Sequence, residues 1–202
     1  MKKILTILFA GFAALTLSAC STMSNNEATP ERYSDLHFDN KQPIPLMVNK
    51  IDVKSEFSPS FTRPNVEHLF PVSIEKTAKI WAKERLEAAD YSSGRVAEVI
   101  IEDASVTEHE QKSEQILQKD LLQYHANLKV TVRVLDSKAS AQTTVEAYRD
   151  LTMSIDTNIE DKEKHWNEMV IRLFQAFDER METDIRRYLN MYIKDDKSIT
   201  TF

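Results

Sequence analysis

From Leu122 to Val134 apolar and polar residues alternate without a break. Leu122, Tyr124, Ala126, Leu128, Val130, Val132 and Val134 share one phase; Gln123, His125, Asn127, Lys129, Thr131 and Arg133 share the other. A sustained period of two predicts a long strand buried on one face. Asp136-Ser137-Lys138-Ala139 turns the chain. Ala141, Thr143, Val145, Ala147, Leu151, Met153 and Ile155 then alternate back, interrupted by Arg149. With those four residues as the loop, Lys129 lies opposite Glu146 and His125 opposite Asp150, and opposite charges across strands favour that register.

A helical period occurs twice. Ile74, Ala78, Trp81, Ala82, Leu86 and Ala89 predict a helix over 73–90, capped by Ser73 and stopped before Ser92-Ser93-Gly94. Trp166, Met169, Val170, Leu173, Phe174, Phe177, Met181, Ile185, Tyr188, Leu189 and Tyr192 predict a second over 159–192, with caps available at Asp156, Thr157 and Asn158. Residues 44–53 and 95–103 read as further strands. In the first, Leu46 and Val48 hold one phase and Ile51 and Val53 the other, so a bulge is expected near Asn49-Lys50. Residues 54–72 carry Pro59, Pro64 and Pro71 among Phe57, Phe61, Val66, Leu69 and Phe70, which predicts a long, partly apolar loop. Residues 104–120 are polar without a clear period, an extended hairpin tip or a mobile loop. The order β-α-β-β-β-α predicts an α+β two-layer sandwich, with two helices on one face of a mainly antiparallel four-stranded sheet. Trp81 and Trp166 fall on the two apolar stripes and are expected in the core.

Composition removes several kinds of chemistry. The chain has 202 residues, 42% of them hydrophobic and 29% charged, and only two glycines, Gly11 and Gly94. Phosphate-cradling loops and nucleophile elbows need several glycines at fixed spacing, which argues against nucleotide-binding loops and the hydrolase elbow. His37, His68, His109, His125 and His165 show no metal-ligand spacing, and the single cysteine cannot make an internal disulfide. No metal site and no cofactor are expected. The carboxylates sit in hydrophilic runs, whereas paired-acid catalysis needs one acid in an apolar pocket. No catalytic residue is assigned.

The first twenty residues carry the most specific pattern. Lys2 and Lys3 precede an apolar run from Ile4 to Leu17, which ends in Leu17-Ser18-Ala19-Cys20. A helix of that run spans about 21 Å, short of the ~30 Å hydrocarbon core, and suits an export signal. Leu17–Cys20 resembles the lipobox of bacterial lipoproteins. The resemblance implies cleavage before Cys20, acylation of that residue and attachment to the membrane through it. Ser21 follows Cys20, and in that family Ser at this place implies transfer to the outer membrane, facing the periplasm. The expected organisation is a signal peptide over 1–19, a flexible tether over 20–43, one domain over 44–193 and a tail over 194–202. About 22 tether residues would span ~25 Å. Loss of Lys2 and Lys3 with the leader takes the basic count from 26 to 24 against 32 acids, a balance of −8. That excess argues against nucleic-acid binding.

The element order is similar to that of the periplasmic LPS-assembly lipoproteins (LptE-like) and of auxiliary lipoproteins of lipid-transporting ABC systems. The stretch Arg63-Pro64-Asn65-Val66-Glu67-His68-Leu69-Phe70-Pro71 is similar to one in uncharacterised alphaproteobacterial lipoproteins and implies no activity. The resulting expectation is a non-catalytic envelope lipoprotein that binds an envelope partner or a lipid-rich substrate; a tethered periplasmic hydrolase is the alternative. Phe57, Phe61 and Phe70 of the loop and Lys129, Arg133 and Lys138 near the hairpin are the candidate contacts, with the edge strand 44–53 beside them. The anchor is directly testable. Cys20→Ala should abolish incorporation of an alkynyl fatty acid and shift the protein out of the membrane fraction; label persisting on the variant would refute the assignment.

Overall fold

The long alternating segment folds as a hairpin. The structure, a computed structural model, describes residues 33–113, 119–137 and 139–194, all within one compact unit. The expected signal peptide, Cys20, the expected tether up to residue 32, Lys138 and most of the expected tail lie outside the described residues. Strand β6 (Leu121–Leu135) pairs antiparallel with β7 (Ser140–Ser154) along its whole length, placing Lys129 opposite Glu146 and His125 opposite Asp150. The loop is 136–139, as the turn residues require. Leu128, Val130, Val132 and Val134 are completely buried on the inner face.

The other side of β6 is covered by β4 (Val96–Asp103) and β5 (Val106–Gln111), which follow one another along the same edge. Between them the register slips by one residue: Ile101 faces Val130, but Asp103 faces Lys129. The inward positions are therefore Ala97, Val99 and Ile101 before the bulge, and Ala104, Val106 and Glu108 after it. This corrects the reading of 104–120 as a tip or loop. The phase changes from odd to even, and an acid takes an inward position, so no single period shows in the sequence. Strand β2 (Lys50–Ser55) completes the sheet, parallel to β4. The sheet is thus four positions wide, antiparallel except at that pair.

Two boundaries move. The segment 44–53 breaks near Asn49, where a change of phase was expected. Its first part, β1 (Ile44–Leu46), leaves the main sheet and pairs parallel with β3 (Leu86–Ala88). The first helix, α1, therefore runs only over Ile74–Arg85. Leu86 fits helical and strand periods equally, and pairing with β1 decides between them. The second helix, α2, covers Ile159–Tyr188 and ends in a 3-10 turn at Asn190–Tyr192. Ser73 and Asn158 cap α1 and α2, accepting from the backbone N–H of Lys76 and Asp161 at 3.3 and 2.9 Å.

The helices lie side by side and run in the same direction. Phe70, just before α1, stacks on Trp166 in the second turn of α2, and Trp81 meets Phe177 edge-on two turns or more further along both. Both N-termini accordingly lie at one end of the sandwich. The loop after β2 covers that end. Its residues 64–66 run along the free edge of β5: Val66 N–H donates to Val106 O at 2.8 Å and Glu108 N–H to Pro64 O at 2.7 Å.

Trp81 is fully buried and Trp166 nearly so. Replacement of either by Ala should cost about 3–5 kcal/mol, read as a lowered denaturant midpoint at unchanged slope. An unchanged midpoint would show that the helix faces are misassigned.

Candidate functional site

Residues 33–43, expected as part of a flexible tether, instead form a strap along α1. At its N-terminal end Tyr33 packs against the core and Asp35 pairs with Lys76, in the first turn of α1. His37 Nδ1 and Phe38 N–H then meet the two carboxylate oxygens of Glu84, each at 2.6 Å. The Phe38 ring sinks into the core beside Phe174, 5.8 Å between centroids. The strap is ordered because the Phe38 ring has a pocket to fill, Tyr33 and Leu36 pack against the core, and its polar groups have partners on both helices.

The strap ends at a cluster of buried charge. Asp178 of α2 and Arg85 of α1 are each 1% exposed. The Asp178 carboxylate accepts from Trp81 Nε1 at 2.8 Å, Arg85 Nε at 2.8 Å and Lys41 Nζ at 2.6 Å. Arg85 also donates to Glu182 and to the backbone oxygen of Gln42. Burial pushes the Asp178 carboxyl up, but the hydrogen bonds from Arg85, Lys41 and Trp81 outweigh it and hold the group below its ordinary value. Neither residue was singled out from the sequence. The signal is nonetheless present: Asp178 lies on the α2 stripe four residues after Phe174, and Arg85 on the α1 stripe four after Trp81. One charge of each sign on two facing apolar stripes marks a buried pair.

The candidate contacts separate. Phe70 is a core residue, not a surface contact: it is buried between Trp166, with centroids 4.9 Å apart, and Tyr124, at 6.4 Å. Phe57 is half-buried against the core. Phe61 is 73% exposed and touches only the edge of the loop, its ring 5.4 Å from that of His68. Lys129 pairs with Glu102 at 2.7 Å, and Arg133 donates to Gln142 at 2.9 Å with Glu98 at 3.7 Å. Lys138 lies outside the described residues. The two described cations therefore belong to a ladder that continues across the outer face through Lys54–Glu98, Thr131–Glu102, Asn127–Asp103 and His125–Asp150. The Lys129 ammonium is held above its ordinary value by its hydrogen bond to Glu102. The structure brings these groups together as partners of one another.

The expected edge strand is half right: residues 50–53 lie in β2, which closes one side of the sheet and pairs with β4 alone, whereas residues 44–46 do not form an edge. β1 is flanked on both sides, by β3 and by Ile193, which bridges Leu46. The long outer edge belongs to β7. There Arg180 of α2 donates to Glu146 O at 3.3 Å, and Arg149 reaches Arg172 O at 3.4 Å.

The described surface carries open grooves. One of about 480 Å³ runs between β7 and α2, past Arg149, Asp150, His165 and Glu168. Another of about 750 Å³ lies at the opposite end, past Pro45, Glu87, Tyr91 and Arg186. Among the described residues no group of three or more His, Cys, Asp or Glu could hold a metal ion, and no helix is long and apolar enough to cross a membrane.

The fold defines the class: an α+β two-layer sandwich with two parallel-running helices over a mixed five-stranded sheet, with the β1–β3 pair beside it. Among solved structures the chain is similar to rare lipoprotein B from Shewanella oneidensis, with 14% identity and a TM-score of 0.40 over 71% of this chain and 98% of that one. It is also similar to a minor lipoprotein from Acinetobacter baumannii, with 12% identity and a TM-score of 0.35 over 70% and 92% of the two chains. No family model and no curated protein sequence matches the chain.

The buried pair gives a pH-dependent test. A carboxyl whose folded pKa lies below its unfolded value of about 3.9 adds stability above that pH, lost as pH falls toward the folded value. Asp178→Asn should therefore destabilise by about 3 kcal/mol at neutral pH, because Lys41 loses its counter-charge and Arg85 keeps only Glu182. The gap to wild type should narrow steadily in urea melts taken from pH 5 downward. A gap independent of pH would show that the charge of Asp178 contributes nothing.

Proposed function

We propose that the chain is a lipid-anchored envelope protein that works without catalysis, as an accessory docked beside an outer-membrane or lipid-transport assembly and facing the periplasm. The observation that carries this reading is the order Leu17-Ser18-Ala19-Cys20 behind a charged, apolar leader. The strap supports it: an anchored chain needs its entry point fixed to the folded unit, and residues 35, 37, 38, 41 and 42 are each bonded to a helix side chain. The outer sheet face supports the non-catalytic part. Its acids, lysines and histidine hold one another in ion pairs, where a catalytic acid or base would need a free, perturbed group facing substrate.

Within this class the element order favours an accessory of LPS assembly or lipid transport, a fold-level analogy only. The hydrolase alternative has one observation behind it, the His125–Asp150 pair at 2.7 Å. Such a pair is the orienting half of a triad, and needs a nucleophile within about 3 Å of the other ring nitrogen.

Complementation of a deletion strain separates the readings. His125→Ala, Asp150→Ala and His165→Ala proteins should restore the wild-type phenotype, and Cys20→Ala should not. Loss of function in a folded, lipidated His125→Ala protein would transfer the assignment to the hydrolase.

A further inference from the structure

We infer that the end of the sandwich carrying both helix N-termini rests on the bilayer surface, with Phe61 and Ile159 as its contact points. The inference rests on the lipid-anchor reading of Cys20. Its first support is where the chain enters. The strap begins beside Lys76, in the first turn of α1, so the segment from Cys20 joins the domain at that end. Only twelve residues separate Cys20 from Tyr33. An unstructured chain of that length spans ~20 Å. The domain is longer: α2 alone, with its 30 residues, measures about 45 Å. To bring the opposite end to the membrane, the linking segment would have to be pulled out to its full reach of about 45 Å. Chain entropy therefore holds the N-terminal end of the helices near the surface before any contact is made.

The second support is what that end exposes. Phe61 is 73% and Ile159 59% exposed, with Leu69 at 46% beside them. Ile159 opens α2, Leu69 ends the turn before Phe70, and a groove joining Arg63, Ile155 and Lys162 lies between the loop and the helix. The nearby cations Arg63 and Lys119 are paired with Glu108 and Asp156. Glu160 and Asp161, in the first turn of α2, oppose deep entry. The contact is thus shallow: apolar tips at the headgroup boundary, with the acyl chains holding the protein in place. Covalent attachment raises the local concentration of this end at the surface to the millimolar range, so a weak contact suffices to orient the domain.

The test uses full-length protein, processed and purified from membranes, in vesicles of phosphatidylethanolamine and phosphatidylglycerol. Acylation consumes the Cys20 thiol, so Phe61→Cys, Ile159→Cys, Tyr91→Cys and Met191→Cys each offer one reactive thiol for an environment-sensitive fluorophore. Tyr91 and Met191 are both exposed and serve as the far-end controls. Spin-labelled lipid should quench labels at 61 and 159 by about twofold or more and leave those at 91 and 191 nearly unchanged. Equal quenching at all four positions, or at none, overturns the inference. Shielding of 61 and 159 in native envelopes but not in protein-free vesicles also overturns it, and assigns the end to a protein partner. Intact mass is read first. Absence of acyl chains overturns the anchor reading itself, whereas acylated protein with unquenched labels overturns only the seating.

Discussion

One carboxylate, Asp178, ties together three parts of the chain that are far apart in sequence. Its partners come from the strap (Lys41) and from α1 (Trp81 and Arg85), and it is itself in the middle of α2. Apolar packing alone would let two helices slide past one another by a turn with little change in buried area. A fixed fork of donors around one buried carboxylate does not, because a slide leaves an ion unpaired at a cost of several kcal/mol. The pair thus selects one axial register more than it adds net stability. That register sets where α1 stops, since Arg85 must face both Asp178 and Glu182. It also places Leu86 to leave the helix and pair with Ile44.

The sheet obeys a second constraint, the bulge after Ile101. It bends the β4–β5 edge and turns an acid, Glu108, inward at the helix-start end of the sheet. Arg63 of the loop meets that acid, and loop residues 64–66 extend along β5. The loop is therefore held by the sheet, although its prolines prevent a regular strand. On the opposite edge, arginine side chains at β7 reach backbone oxygens. An inward-facing cation and donors already spent on neighbouring carbonyls are the devices by which edges resist adding a further strand. Recognition by strand addition is disfavoured at this edge.

The parts legible in the sequence were those with one unbroken period. The β6–β7 hairpin, its four-residue loop and its register follow from alternation and charge alone. The α2 stripe and both tryptophans follow from a period near 3.6. Legibility failed where two segments of opposite phase abut, as at Glu102, and where a residue satisfies two periods, as Leu86 does. It failed again at the buried charges, since a pattern of apolar positions treats Asp178 and Arg85 as interruptions. Among the candidate contacts, composition could not tell Phe70 from Phe61. The difference arises from Trp166 and Tyr124, residues more than fifty positions away that complete a ring cluster around one and not the other.

The strap joins the domain through a series of contacts that can part without opening the core. Tyr33 and Leu36 already pack against the core, and the polar contacts grow more buried from Asp35 to Lys41. Asp35–Lys76 is solvent-exposed on both sides, and such pairs contribute little. His37–Glu84 comes next; the hydrogen bond to Glu84 raises the His37 pKa, so this contact is held in acid and fades as pH rises through that value. Phe38 follows, with its ring in the core, and Lys41 ends the series on a carboxylate that is almost wholly buried. With the anchor proposed at Cys20, tension from the membrane side would reach these in order. The outer contacts can part and reform while the buried cluster remains closed, so the linking segment lengthens by a few residues before the helix register is disturbed.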